Sequence, residues 1–194
     1  MANDPLLIDV PASLRTARLV GRVPAPGDGA ALVAAVTANR MRLRPWMPWA
    51  EAEPTLEGSE AYVRRSAALF ALREVLDYHW YQAANEARFV AAGGLHTIDW
   101  SVPRFELGYW VHGDFEGQGY VRELVGALTE LAFLRLGAAR VEIRCDATNR
   151  RSAAVAEAGG YTLEACLRAH QRRPDGSLRD TLVFARVRTE AGAR

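Results

Sequence analysis

The chain has 194 residues, 49% of them apolar, with 24 Lys and Arg against 23 Asp and Glu for a formal net charge of +1. That length and apolar content suit one globular domain, 1–194, with a sizeable core and short flexible termini. The balanced charge excludes a long-range field that would select nucleic acid or an anionic membrane, and no run approaches the roughly 20 apolar residues that span a bilayer. The segment from Met1 to Leu14 lacks the basic start and apolar run of a targeting signal, so the expected location is the cytoplasm. Cys145 and Cys166, the only cysteines, each fall in an apolar strand-like segment, which fits buried thiols in a reducing compartment.

In chain order, Leu14 to Val23 reads as a first strand, broken by Pro24-Ala25-Pro26-Gly27, after which Asp28 can cap a helix reaching about Asn39. Leu43 to Trp49 holds Pro45 and Pro48, which remove backbone donors and restrict their predecessors, so an ordered loop is expected. Thr55 is a plausible N-cap for a helix toward Glu74. Three strand-like stretches follow near Tyr78–Ala83, Phe89–Leu95 and Phe105–Val111, separated by the turn Asn85-Glu86-Ala87-Arg88 and the breaker Ser101-Val102-Pro103, as in an antiparallel meander. Val121, Leu124, Val125, Leu128, Leu131 and Ala132 then recur at helical spacing, with Gly137 as terminator, so Tyr120 to Leu136 is an amphipathic helix. Arg140 to Asp146 alternates as a strand, and a short helix ends at Gly159-Gly160. Two strands joined by such a helix run parallel, which makes the fold mixed α/β. There is no internal repeat, and the one low-complexity stretch is the tail after Arg188.

Gly117-Gln118-Gly119 opens the long helix, where free backbone N–H groups and the helix dipole favour an anion and glycine permits positive φ and close approach. A tight strand-to-helix turn would use the same residues. Arg122 stands where a dinucleotide fingerprint needs its third glycine, and no Gly-Lys-Ser/Thr follows, so neither Rossmann nor P-loop binding is supported. Asp146-Ala147-Thr148-Asn149-Arg150-Arg151-Ser152 follows the next strand, where Thr148, Asn149 or Ser152 could simply cap the short helix. Together, two polar turns after neighbouring parallel strands define a cleft.

Arg44-Pro-Trp-Met-Pro-Trp49, Glu106-Leu-Gly-Tyr-Trp110, Gly117-Gln-Gly-Tyr120, Asn149-Arg-Arg-Ser152 and Arg179-Asp-Thr-Leu-Val-Phe184 carry a resemblance that covers most of the chain. The sequence resembles the GNAT acetyltransferases, within them the RimJ/RimL type of protein N-acetyltransferase. The resemblance implies a mixed sheet of roughly six to seven strands, flanked by helices, with a central splayed parallel pair. It implies acetyl-CoA as co-substrate and no metal: backbone near Trp110 and Val111 on pantetheine, amides of Gly117, Gln118, Gly119, Tyr120, Val121 and Arg122 on the pyrophosphate, and Asn149 on the cofactor. Ser152 matches the residue that protonates the departing thiolate, and Trp46, Met47 and Trp49 would form the acceptor pocket unless they simply pack. Two positions depart from the general signature. Glu116 puts a carboxylate beside the diphosphate site, tolerable if it faces solvent or pairs with Arg122, and Val121 adds bulk.

The implied chemistry is attack of an amine on a thioester in a ternary complex. At pH 7 an α-amine of pKa about 8 costs roughly 1.4 kcal/mol to deprotonate, against roughly 4.6 kcal/mol for lysine at about 10.4. A site without an evident strong base therefore favours a protein or peptide N-terminus, or another small amine, as acceptor. Glu106 is the candidate base or relay, with Glu142 of equal standing on the next strand, although either could be an exposed strand residue or ion-pair partner. The four histidines show no metal-ligand spacing; His112 and His170 read as surface or rim residues. Cys145 alternates with Val141 and Ile143 and reads as apolar-face packing rather than a nucleophile. The alternatives are a non-catalytic acyl-CoA-binding or protein-interaction module and an acyltransferase using another donor such as succinyl-CoA. Homodimers are frequent among the proteins it resembles.

Overall fold

The structure, a computed structural model, describes residues 4–173 and 175–188; the tail after Arg188 lies outside them. The expected first strand is two: β1 (Ser13–Arg15) and β2 (Leu19–Arg22) pair antiparallel. Thr16 breaks the run, because its hydroxyl accepts the Leu19 N–H at 3.0 Å and its own N–H donates to the Leu19 carbonyl at 2.9 Å, closing a tight turn.

Asp28 precedes α1 (Gly29–Leu43) without capping it through its side chain. Its carboxylate instead forms a two-point pair with Arg22 at 2.6 and 2.7 Å, a charge-assisted geometry stronger than a neutral cap. The helix runs one turn beyond Asn39, and buried Asn39 ties it to the next layer by accepting the Gly113 N–H at 2.6 Å. Residues 44–50 are irregular except for one 3-10 turn at Pro48–Ala50, as the prolines require. Thr55 does cap α2 (Leu56–Ala71), its hydroxyl accepting the Gly58 N–H at 3.0 Å.

The meander comprises β3 (Leu76–Gln82), β4 (Asn85–Asp99) and β5 (Arg104–Val111). Asn85–Arg88, expected as a turn, is the exposed start of β4, joined to β3 through a register shift. After β5, α3 (Tyr120–Glu130) continues through a π-type turn at Leu131–Arg135. Then come β6 (Arg140–Asp146), α4 (Arg150–Ala158), β7 (Thr162–Arg172) and β8 (Leu178–Val187). From sequence only the segment around Cys166 read as strand-like, and the extents of the last two strands were not legible. β7 is almost wholly exposed and turns through a positive φ at Ala169, so it lacks the alternation that betrays a half-buried strand. Cys166 on it is exposed, not buried as expected, whereas Cys145 is half-buried.

The sheet has eight strands, more than the roughly six to seven expected, in the order β1-β2-β3-β4-β5-β6-β8-β7. Among the described residues only β5 and β6 run parallel, and their pairing covers Arg104 to Glu106. From Leu107 onward β5 stays paired with β4, as far as Val111, while β6 pairs with β8 to Asp146. The parallel pair therefore splays into a wedge. One sheet face carries the main core, with fully buried Tyr78, Trp80, Phe105 and Leu107 under Leu124 and Leu128 of α3. The other is covered by α1 and α2, where Leu32, Val36 and Val63 pack on Tyr81 and Phe89. Two glycines set strand spacing there: a Cβ at Gly94 would lie 2.4 Å from the Leu76 carbonyl, and one at Gly21 2.7 Å from the Trp80 ring.

Candidate active site

Two cavities meet at the splayed end of β5, sharing Met47, Tyr109 and Trp110. Alternate residues of a strand face opposite sides. Here the wedge lets the end of β5 contribute to both spaces.

The first cavity, about 890 Å³, lies over the wedge between α3 and α4. Gly117 and Gly119 have φ of +72° and +82°, so the glycines are required by backbone conformation; a Cβ at Gly117 would meet nothing within 4 Å, which leaves the turn open to a ligand. Gly119 is the N-terminal boundary of α3 and has no side chain to cap the helix, so first-turn N–H groups remain available to an anion. Glu123 anchors that turn: it accepts the Arg18 N–H at 2.7 Å and pairs with the Arg18 guanidinium at 2.7 Å. Tyr120 is held by Gln82 at 3.2 Å, with Arg18 stacked 4.3 Å over its ring.

Trp110, Val111, Gly117, Gly119, Tyr120, Val121, Arg122 and Asn149 all line this cavity. Gln118 is not among them; its side chain donates back to the Asp114 carbonyl at 2.6 Å. Asn149 caps α4, accepting the Ser152 N–H at 3.1 Å, so the capping role and a cavity-facing position coexist. Glu116 neither faces solvent freely nor pairs with Arg122. It joins Arg42 at the end of α1 to Arg151 of α4, the latter at 2.6 Å. Its charge is thereby offset by two guanidiniums that line the same space.

Ser152 and Tyr109 meet across the wedge. The two side-chain oxygens are 3.0 Å apart, and the Tyr109 hydroxyl is 3.3 Å from the Ser152 carbonyl. Burial pushes the Tyr109 phenol up to about 12, against the opposing effect of the Ser152 hydrogen bond, so it stays protonated at neutral pH. The Cys145 thiol is raised by the same burial, with Ser152 opposing, which keeps it in the inert thiol form. Tyr109 alternates with Leu107 and Val111 on β5, an apolar pattern that masks its polar tip at the wedge.

The second cavity, about 580 Å³, lies between α2, the 44–55 loop and the sheet. Of the aromatic loop, Trp46 lines the first cavity, Trp49 the second, and Met47 both. Trp49 is 49% exposed and stands 6.1 Å from Trp110, so it is no core residue. Asp77, His79 and His96 form part of the floor, with Gly108 beneath His96: a Cβ at Gly108 would lie 2.6 Å from His96 Nε2. Neither His79 nor His96 was singled out from sequence, where the only available test was metal-ligand spacing. His112 and His170 instead make local contacts with the Asp114 N–H at 3.2 Å and the Thr181 hydroxyl at 3.1 Å.

Glu106 lines neither cavity. It lies 3.7 Å from Arg144 and pairs in register with His96 on one side and Glu142 on the other. Glu142 is bound by Arg140 at 2.7 Å and Arg144 at 2.8 Å. Burial alone would raise its carboxyl, but these two partners hold it below the usual range, which marks a structural ion pair. Among the described residues, no three His, Cys, Asp or Glu side chains converge to hold a metal.

Residues 18–162 match the acetyltransferase (GNAT) domain family. The chain belongs to the GNAT acetyltransferases. It is 27% identical to a Bacillus subtilis (strain 168) protein provisionally named as the ribosomal N-acetyltransferase YdaF, over 74% of this chain and 77% of that protein. Solved structures share the fold. The RimL ribosomal L7/L12 alpha-N-protein acetyltransferase in complex with coenzyme A superposes with a TM-score of 0.83 at 22% identity, covering 92% of this chain and 97% of that one. The microcin C7 self-immunity acetyltransferase MccE, in complex with acetyl-CoA and AMP, gives 0.84 at 20% identity, covering 92% and 98%. The ribosomal-protein-S5-alanine acetyltransferase from Vibrio fischeri gives 0.83 at 19%, covering 95% and 100%.

Proposed function

We propose that this GNAT protein transfers an acetyl group from acetyl-CoA to a primary amine, best an N-terminal α-amine of a protein or peptide, with the donor in the first cavity and the acceptor in the second. The observation that carries the reading is the charge division between two cavities that touch at Tyr109 and Trp110. The first is lined by Arg42, Arg122, Arg151 and a helix N-terminus against the single carboxylate of Glu116, as a polyphosphate needs; the second has Asp77 and Glu53, the latter 3.4 Å from Arg40, and no arginine or lysine among its described lining residues, as a cationic amine needs. The proteins named for ribosomal N-acetylation, and the relatives bound to CoA or acetyl-CoA, support the same reading.

In this reading the thioester supplies the acyl group, and the protein's residues orient it and manage protons. Backbone at Trp110 and Val111 on the unpaired edge of β5 would hold the pantetheine, and amides of the first turn of α3 with Arg122 and Arg151 the pyrophosphate. Asn149 positions α4 so that Ser152 points at the departing sulfur. Ser152 hydrogen-bonds that sulfur, with Tyr109 behind it. Full proton transfer from a phenol near 12 to an alkyl thiolate near 8.5 would be uphill by about 5 kcal/mol, so the pair delivers a hydrogen bond and relays the proton released by the amine. His96, on the floor of the acceptor side, is the group best placed to take the proton that the ammonium sheds before attack, whereas the proton shed as the amide forms is the one relayed to the thiolate. Glu106, across the ladder from His96, would act only through an intervening group.

The test is thiol release from acetyl-CoA, and from succinyl-CoA in parallel, with peptides of free and blocked N-termini. Turnover confined to free N-termini and the acetyl donor is the expected result. CoA binding with no turnover on any amine would establish a non-catalytic module instead.

A further inference from the structure

Resting on the reading of the second cavity as the acceptor side, we propose that this cavity selects acceptors carrying a second cationic group, which sits at its far end between the Asp77 carboxylate and the His79 ring. His79 is 1% exposed, lines the cavity, and neither ring nitrogen has a hydrogen-bond partner among the described residues. Buried polar groups are nearly always satisfied, so an orphaned imidazole aimed at a cavity points to a ligand that satisfies it. Burial keeps the ring neutral, with its ordinary value lowered to about 4, so one nitrogen is an acceptor without a proton. On its other side Arg22 and Asp28 are paired with each other, and Phe89 meets its edge at 5.4 Å.

Asp77 lies two residues away on the same face of β3. Its Oδ2 accepts the Tyr62 hydroxyl at 3.0 Å and the Ser66 hydroxyl at 3.1 Å, which fixes the carboxylate by neutral groups and leaves its charge uncompensated by any cation lining the cavity. Tyr62, Trp49 and Trp110 add aromatic walls, which favour a cation with an apolar stem. β3 and β5 are separated by β4, so Asp77 and His79 stand two strand spacings, about 10 Å, from the transfer end at Tyr109 and Trp110. An acceptor that fills this length presents its reacting amine at one end and its second charge at the other. A carboxylate at that far end is excluded by Asp77.

Two arms separate the sources of such a dication. In one, 1,4-diaminobutane is compared with butylamine; in the other, alanyl-lysine amide with alanyl-norleucine amide, acetylation of the second being followed at the α-amine by mass spectrometry. The expected result is a kcat/KM at least about tenfold higher for the dication in one arm, the arm identifying a free polyamine or a basic N-terminus. Asp77→Asn and His79→Phe should each bring that ratio to within about twofold of unity, and Asp77→Asn at the half-buried position serves if His79→Phe fails to fold. Equal turnover of both members in both arms, or a preference that survives in Asp77→Asn, would overturn the inference while leaving the transferase reading intact. Turnover of none of the four would overturn both.

Discussion

The two cavities, donor side and acceptor side in the function proposed above, share three residues yet are built in different ways. The donor side is largely a main-chain structure: a strand edge left unpaired by the splay, a helix N-terminus, and two glycines at positive φ. Its polar side chains come from short motifs at the ends of neighbouring elements. The acceptor side is a side-chain structure, gathered from α1, α2, the 44–55 loop and three strands. Backbone sites recognise what every donor shares, whereas side-chain sites can diverge with the acceptor. The two cavities should therefore fail differently.

The largest expected effect is on the acceptor side. His79 takes up a proton near pH 6.5 when unfolded but only near 4 when folded, so between those values the unfolded state binds more protons and stability falls as pH drops. The group accounts for about 3 kcal/mol over that window. Urea unfolding of wild type and His79→Phe between pH 7 and 4 should show a shallower acid loss in the variant; parallel curves would place the imidazole in a solvated or partnered state. On the shared boundary, Ser152→Ala should lower kcat about 10²-fold, with a much smaller change in the KM for acetyl-CoA. Tyr109→Phe combined with it should cost less than the product of the two single effects, because the hydroxyls act as one unit. An unchanged kcat in Ser152→Ala would remove it from the proton path.

On the donor side, Arg122→Ala should raise the KM for acetyl-CoA about tenfold, an effect that shrinks as ionic strength rises from 50 to 500 mM, since screening weakens long-range charge attraction. The KM for the acceptor should move far less; a larger acceptor effect would contradict the division of charge. The smallest effect is at Glu116. Its removal as Glu116→Gln frees Arg42 and Arg151 for phosphates, so titration by calorimetry should show CoA binding about threefold tighter. Weaker binding would mean that the carboxylate is needed to position the two arginines.

Much of the donor side was legible because its elements are local. The helical spacing from Val121 to Ala132, the alternation of Arg140 to Asp146, and the glycines between them each report on a few consecutive residues. The β1–β2 split was missed because one threonine hydroxyl outweighed an apolar run, and β7 because an exposed strand at a sheet edge has no buried face to write in the sequence. Glu116 was weighed against the nearest arginine along the chain, Arg122, whereas its partners lie 74 and 35 residues away.

Sequence alone therefore settled that a strand, a glycine turn, an amphipathic helix and a second strand make a parallel unit, because periodicity and φ preferences act over one or two turns of chain. The fold had to bring the rest together. Sheet order placed His79 and Asp77 two strands from Tyr109, and the early end of β5–β6 pairing opened the wedge in which Tyr109 meets Ser152. A buried imidazole, a hydroxyl pair and a shared carboxylate depend on distances between residues far apart in the chain, and those distances exist only once the sheet has formed.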